Sequence, residues 1–193
     1  MDAHSSAASG RGVGRAPDDR AHGTGAGVPA MAALSASLGA LSLPAVVSSH
    51  SPRTTTGRTV LTVTDTSLYT PPVLPGTQGI GLGAGWHVTI QASALSYSGP
   101  NNGTNIPAAN LAIVSVETPT ATSGQPLDPV NGPMAPTLSP AGPLDSARMI
   151  LHANSGYGAG TYTQGVNLSL TIPANTRAGT YSSTITTTIG SGP

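Results

Sequence analysis

The chain contains no cysteine and no phenylalanine, and all seven of its basic residues are arginines, so it has no lysine either. Without cysteine there can be no disulfide framework, no thiolate-ligated metal and no thiol nucleophile. Without lysine, the internal lysine-to-asparagine isopeptide that staples some surface domains cannot form. Charge of either sign is scarce: seven acidic residues balance the seven basic ones, for a net charge of zero. A chain with no basic stripe offers no electrostatic footprint for nucleic acid or for an anionic membrane. Aromatics are few, one Trp and five Tyr, so a core must be built from Val, Ile, Leu and Ala around a handful of rings. Solubility then rests on Ser, Thr, Asn and Gly, a surface composition common on exported β-proteins.

What is present suggests one ordinary domain with a tail. If roughly 150 of the 193 residues fold, about two thirds of the unfolded surface can be buried, enough for a core without staples. Residues 1–33 have no apolar periodicity and are rich in Gly, Ala, Ser and charge, so they are expected to be disordered. Residues 31–47 (MAALSASLGALSLPAVV) have two readings. They are uncharged and moderately apolar and follow arginines, as a secretory hydrophobic segment reaching to about residue 47 would. They also alternate: Leu34, Ala36 and Leu38 share one side of a strand, and Leu41 and Leu43 continue it past a bulge near Gly39. The stretch is too short and polar for a membrane span.

From Thr54 onward, runs of β-branched residues alternate with Gly, Pro and Asn clusters, the pattern of a sandwich or barrel. Residues 59–64 (TVLTVT) form one run. In the next, Trp86, Val88, Ile90 and Ala92 point one way and His87, Thr89, Gln91 and Ser93 the other. Residues 111–116 (LAIVSV) are apolar on both faces, as expected of a central strand. Val166, Leu168, Leu170 and Ile172 alternate with polar neighbours, and Tyr181, Ser183, Ile185, Thr187 and Ile189 share a face of the last strand. Asn102-Gly103 tolerates positive φ and marks a tight connection. Residues 174–179 are expected to join the last two strands as a hairpin. The proline-rich stretch 118–143 cannot donate fully to a ladder and reads as a loop or edge excursion. Residues 144–153 (LDSARMILHA) can be helical, capped by Asp145 or Ser146, although a strand over 148–153 fits nearly as well. The fold expected is an antiparallel β-sandwich of roughly seven to nine strands over residues 34–193.

Several local patterns, taken in order, resemble the WxL domain, a surface module of Gram-positive bacteria. Gly83-Ala84-Gly85-Trp86-His87-Val88 is similar to the family's first W-x-L motif behind its glycines. Ile150-Leu151-His152-Ala153, followed by the glycine-rich run 156–160 and Tyr162, is similar to its hydrophobic pair, alanine and glycine run ending in an aromatic. Leu170-Thr171-Ile172-Pro173, then Ala178-Gly179-Thr180-Tyr181, resembles its closing strands. The match spans residues 34–193, with an insertion at 67–81. Val88 stands where the family has Leu, and Thr187 where it has the second tryptophan, so the chain resembles a divergent member. The resemblance implies a secreted, wall-associated module that attaches non-covalently to peptidoglycan and clusters with other surface proteins.

Trp86 can stack on a sugar ring, or, sharing the Val88 and Ile90 face, can simply fill the core. Tyr157 and Tyr162, around a glycine-rich turn, can form a ligand platform or cap the core. The binding residues expected are therefore Trp86, Val88, Tyr157 and Tyr162. Gly156, Gly158 and Gly160 are no phosphate cradle, since no lysine and no helix follow. His87 and His152 invite a metal or general-base role, but a zinc site needs three converging ligands. No G-x-S-x-G elbow is present. Asp65, Glu117, Asp128 and Asp145 lack the spacing of a calcium loop. Leu74-Pro75-Gly76-Thr77 begins like a sortase signal but continues with Gln78 and has no hydrophobic tail, so covalent anchoring is not expected. Asn102 and Asn167 head glycosylation-type triplets that carry no meaning in a bacterium. No catalytic residue, metal or cofactor is expected. The function expected is a non-catalytic binding module outside the cytoplasm, with peptidoglycan or a neighbouring surface protein as partner, or else a structural subunit of a surface assembly.

Overall fold

The computed structural model describes residues 33–71, 79–137 and 140–193. The expected disorder of residues 1–33 and the sortase-like tetrad at 74–77 therefore lie almost wholly outside the described residues. In chain order the strands are β1 (Leu34–Leu38), β2 (Arg53–Asp65), β3 (Tyr69–Thr70), β4 (Ile80–Gly81), β5 (Trp86–Ala92), β6 (Ser96–Ser98), β7 (Leu111–Val116), β8 (Thr120–Gly124), β9 (Gly142–Pro143), β10 (Arg148–Ala153), β11 (Gly160–Ile172), β12 (Thr180–Ser182) and β13 (Ile185–Ser191). Eight of these reach five residues or more, within the number expected. Helix is confined to a single 3₁₀ turn at Ala108–Asn110 among the described residues. None of their helices is long and apolar enough to cross a membrane.

Two sheets enclose one core. The larger runs β1-β2-β11-β7-β9, with β8 sharing the β11 edge alongside β7; the smaller runs β10-β5-β13. All pairings are antiparallel, and β2 and β11 stay in register from Arg53↔Ile172 to Asp65↔Gly160. Because side chains alternate along a strand, this register presents the even-numbered residues Tyr162, Val166, Leu168 and Leu170 inward beside Leu61 and Val63. The facing sheet contributes Trp86, Val88 and Ile90 from β5 and Ile150, Leu151 and Ala153 from β10, all fully buried. Removing each such side chain from water contributes roughly 1.5–3 kcal/mol.

Of the two readings of residues 144–153, the strand over 148–153 is the one found, as β10, and 144–147 form a turn rather than the first turn of a helix. The register shifts between Met149 and Leu151, and this bulge lets the adjacent Ile150 and Leu151 both enter the core. A bulge also corrects the expectation for β7. Pairing with β11 skips Val114, which is 53% exposed, so β7 buries one face and not two. The proline-rich stretch is an edge excursion as expected: β8 pairs with the first half of β11, and Met134 then bridges His152 on β10.

The segment 174–179 is not a hairpin. β11 pairs with β2, β7 and β8, whereas β12 pairs with β6 and β13 with β5. The turn therefore carries the chain out of the larger sheet to the opposite side of the sandwich.

The strand reading holds for residues 34–38, where β1 pairs with β2 over all five residues and Leu34, Ala36 and Leu38 pack on the core, but its continuation through Leu41 and Leu43 does not, since pairing ends at Leu38. Beyond it, residues 39–51 form a strap along the inner face of β2, where the inward positions are Thr55, Gly57 and Thr59 rather than apolar residues. Thr59 Oγ1 donates to the Gly39 carbonyl at 2.6 Å and Thr55 Oγ1 to the Pro44 carbonyl at 3.1 Å. Between them, a Cβ on Gly57 would stand 2.7 Å from Leu43 and 2.9 Å from Leu41. The two threonines hold the strap, and the missing side chain makes room for its leucines. Gly57→Val is expected to lower stability by about 1–3 kcal/mol through overpacking, with Gly57→Ala milder because the leucine tips can shift. Urea unfolding measures both, and an unchanged midpoint for the valine variant would contradict this packing.

Candidate binding cleft

The residues singled out in the sequence meet, but as a closed joint. Trp86 lies on the inner face of β5 and Tyr162 on that of β11; both rings are fully buried, with centroids 6.2 Å apart and planes tilted by 47°, within the range of favourable aromatic pairs. The Trp86 indole donates to the Gly158 carbonyl at 3.1 Å. The Tyr162 hydroxyl is 2.7 Å from the Gln125 carbonyl and 3.1 Å from that of Ala159. Gly158 has φ +83°, and a Cβ there would meet Trp86 Nε1 and the Ala153 methyl at 2.6 Å. Glycine is thus required in this run so that backbone can close over the indole.

This corrects the ligand-contact roles expected of Trp86, Val88 and Tyr162: all three are inaccessible, because their strand faces point between the sheets. Tyr157 is half-buried and packs against the core, and with Tyr162 turned inward the pair forms no platform. Gln125 completes the joint. It is fully buried, its side-chain amide donates to the carbonyls of Gly79 and Gly156 at 3.0 and 3.1 Å, and its backbone N–H donates to Ala159 at 2.7 Å. A lone glutamine among prolines gave no sign of this role in the sequence.

The two histidines are register partners on β5 and β10. His87 Nδ1 lies 2.8 Å from the Gly192 carbonyl. The His152 imidazole is held below its ordinary value by burial first and by His87 second. Among the described residues, no three His, Asp or Glu side chains gather as a metal site. The carboxylates are spread apart and mostly engaged locally. Asp65 accepts from the Ser67 N–H and hydroxyl. Asp128 is lowered by the N–H groups of Val130 and Asn131. Glu117 pairs with Arg58 at 2.6 Å, on the solvent side, where such a pair contributes little.

A different region is open. At one end of the sandwich, a cleft of about 1110 Å³ lies between the strap and the 174–183 segment. Its floor includes Leu95, Ile106, Leu111, Leu170, Ile172 and Ile185, and Arg53 and Arg177 contribute to its lining. That lining contains no carboxylate and no imidazole. Arg58 is paired with Glu117, and Arg148 donates to the carbonyls of Pro143 and Ala141. Only Arg58 has an acidic partner among the described residues; Arg148 is held by carbonyls, and Arg53 and Arg177, both exposed, have neither an acidic partner nor a side-chain hydrogen bond there.

The cleft walls are anchored. Tyr97 and Tyr181 rest on each other, centroids 5.3 Å apart. Their hydroxyls donate to the carbonyls of Ala178 and Arg177, fixing the segment that carries Arg177. The Asn175 N–H donates to the Ser49 carbonyl at 2.8 Å, and the Asn175 side-chain oxygen lies 2.7 Å from His50 Nδ1, tying that segment to the strap. Sequence reading missed this cleft because it took the strap and the 174–179 turn separately, and nothing local brings them together.

No family model and no curated protein matches the chain. Among solved structures, the chain is similar to a family 123 glycoside hydrolase from Clostridium perfringens, studied for glycolipid glycan hydrolysis. The identity is 17% and the TM-score 0.38, over 82% of this chain and 25% of that one. The chain thus spans about a quarter of that enzyme's length.

Two variants test the joint. Trp86→Ala should cost about 3–5 kcal/mol, and Tyr162→Phe about 1–3 kcal/mol by leaving the buried Gln125 carbonyl without its donor. Burial, then the charges of Asp65 and Tyr69, push the Tyr162 phenol above its ordinary value. Its contribution is complete below the unfolded value near 10 and is lost as pH rises beyond it, because the unfolded chain ionises first. Unfolding measured across pH 8–11 should therefore show an alkaline fall in stability that Tyr162→Phe flattens; equal slopes would contradict the buried donor.

Proposed function

We propose that this chain is a secreted or cell-surface, non-catalytic binding module that engages a neighbouring surface protein through the end cleft. The observation that carries the reading is the cleft's lining: a large apolar floor with hydroxyls and two guanidinium groups, and none of the carboxylates or imidazoles that general acid–base chemistry requires. A protein partner is favoured over wall glycan because sugar recognition by stacking needs an exposed aromatic face. Trp86 and Tyr162 are buried, and Tyr97 and Tyr181 are turned toward each other.

The test is sedimentation of purified protein with cells of the source organism, with protease-shaved cells and with purified wall sacculi. Binding should be retained by intact cells, lost after shaving, and lost by Ala178→Trp, which fills the cleft from an exposed position. Recovery of all protein in the supernatant, or undiminished binding by Ala178→Trp, would contradict the cleft as the site. Retention on bare sacculi would make peptidoglycan the partner instead.

A second reading, assembly by edge pairing, draws on β13. Met134 covers the free edge of β10, whereas β13 (ITTTIGS) is uncharged and pairs only with β5 among the described residues, lacking the charges that usually protect an edge. Light scattering at high concentration should then report oligomers that Thr186→Lys and Thr188→Lys together disperse. A strict monomer contradicts it.

A further inference from the structure

Resting on that reading, we infer that the occupant of the cleft is an extended, apolar peptide segment bearing carboxylates, which adds as a strand beside residues 45–48 of the strap. The first observation is the backbone. Ala45, Val46, Val47 and Ser48 lie at the cleft wall, yet none of their N–H or C=O groups has a hydrogen bond among the described residues. Val47 is 87% exposed. An unpaired, β-branched, apolar stretch with no charge is a template for strand addition. Neighbouring portions of the strap are already used: the Pro44 carbonyl takes Thr55 and the Ser49 carbonyl takes Asn175. Residues 40–43 are also without backbone hydrogen bonds among the described residues, but their Leu41 and Leu43 pack on the core, so 45–48, held between two anchored carbonyls, is the stretch that offers both free backbone and an exposed apolar side chain.

The second observation is the floor. A strand laid beside this stretch would turn alternate side chains toward Ile172 and Ile185, the partly exposed residues of the floor, whose other members Leu111 and Leu170 are already buried. The third is charge: Arg53 and Arg177 line the same cleft with no acidic partner among the described residues, and no carboxylate lines it. Carboxylates on the incoming segment supply the missing sign, and arginine accepts them in bidentate geometry. A fatty acid would satisfy floor and charge, but leaves the free backbone of 45–48 unused.

Fluorescence anisotropy with a labelled peptide of alternating valine and serine ending in two aspartates tests this. Binding to the full chain should weaken several-fold in Arg53→Gln and in Arg177→Gln, about tenfold in the double variant, and progressively with added salt. The same peptide ending in lysines should not bind, and an N-methylated version should lose most of its affinity because its backbone can no longer pair. Laurate is the competing probe. If it binds in place of the peptide, or if N-methylation changes nothing, the strand-addition proposal is overturned in favour of an apolar anion. If no peptide binds while Ala178→Trp still abolishes binding to cells, the ligand class is wrong and the cleft reading survives. If Ala178→Trp leaves cell binding intact, the cleft reading itself has failed.

Discussion

Thirteen residues of β11 pair with thirteen of β2 without a register shift, and that continuity decides which side chains can reach the interior. A slip of one residue would send Tyr162, Val166, Leu168 and Leu170 to solvent together, so the register is enforced by the summed burial of the whole face. Irregularity is displaced to the partners: the bulges at Val114 and Thr122 sit on the shorter strands β7 and β8. There they adjust which neighbours are buried without disturbing the long pair. The ends of this ladder then position the two most distinctive regions of the molecule. Near its Asp65–Gly160 end lies the Trp86–Tyr162 joint, and near its Arg53–Ile172 end lies the cleft.

These two regions use the same scarce chemistry in opposite ways. At the joint, glycine at 158 lets backbone close over the indole, and polar atoms of Trp86, Tyr162 and Gln125 find carbonyl partners within the interior. At the cleft, Ile172 and Ile185 stay partly exposed, part of the strap backbone is unpaired among the described residues, and two arginines remain without acids. A chain with so few charges has little reason to leave two cations in one place for solubility alone, when serine and threonine serve that purpose across the rest of its surface.

The layered antiparallel fold was legible because alternation is a local signal. Trp86, Val88, Ile90 and Ala92 could be assigned to one face from their spacing, and their burial follows that assignment. So could the face shared by Leu34, Ala36 and Leu38. What escaped was either non-local or polar. Residues 174–179 have the composition of a hairpin turn, yet nothing in them encodes that β12 pairs with β6 in place of β11. Nothing local marks Thr55 and Thr59 for the interior, yet each buries its hydroxyl against a strap carbonyl some eleven and twenty residues away in sequence. The binding role given to Trp86, Val88 and Tyr162 failed on the competing use of the same property, since residues apolar enough to recognise a ligand are apolar enough to form the core. The similarity to WxL domains that drew attention to those residues stays a resemblance, and Trp86, Val88 and Tyr162 serve packing here.

Because Trp86 is the only tryptophan in the chain, its fluorescence reports directly on the claim that the indole is scaffold and that recognition happens elsewhere. The account predicts a blue-shifted emission that acrylamide barely quenches in the native protein, unchanged when the cleft is occupied and shifting to the red only on unfolding. A red-shifted, readily quenched emission in the native protein, or one that ligand addition alone protects, would contradict it and return Trp86 to the binding surface.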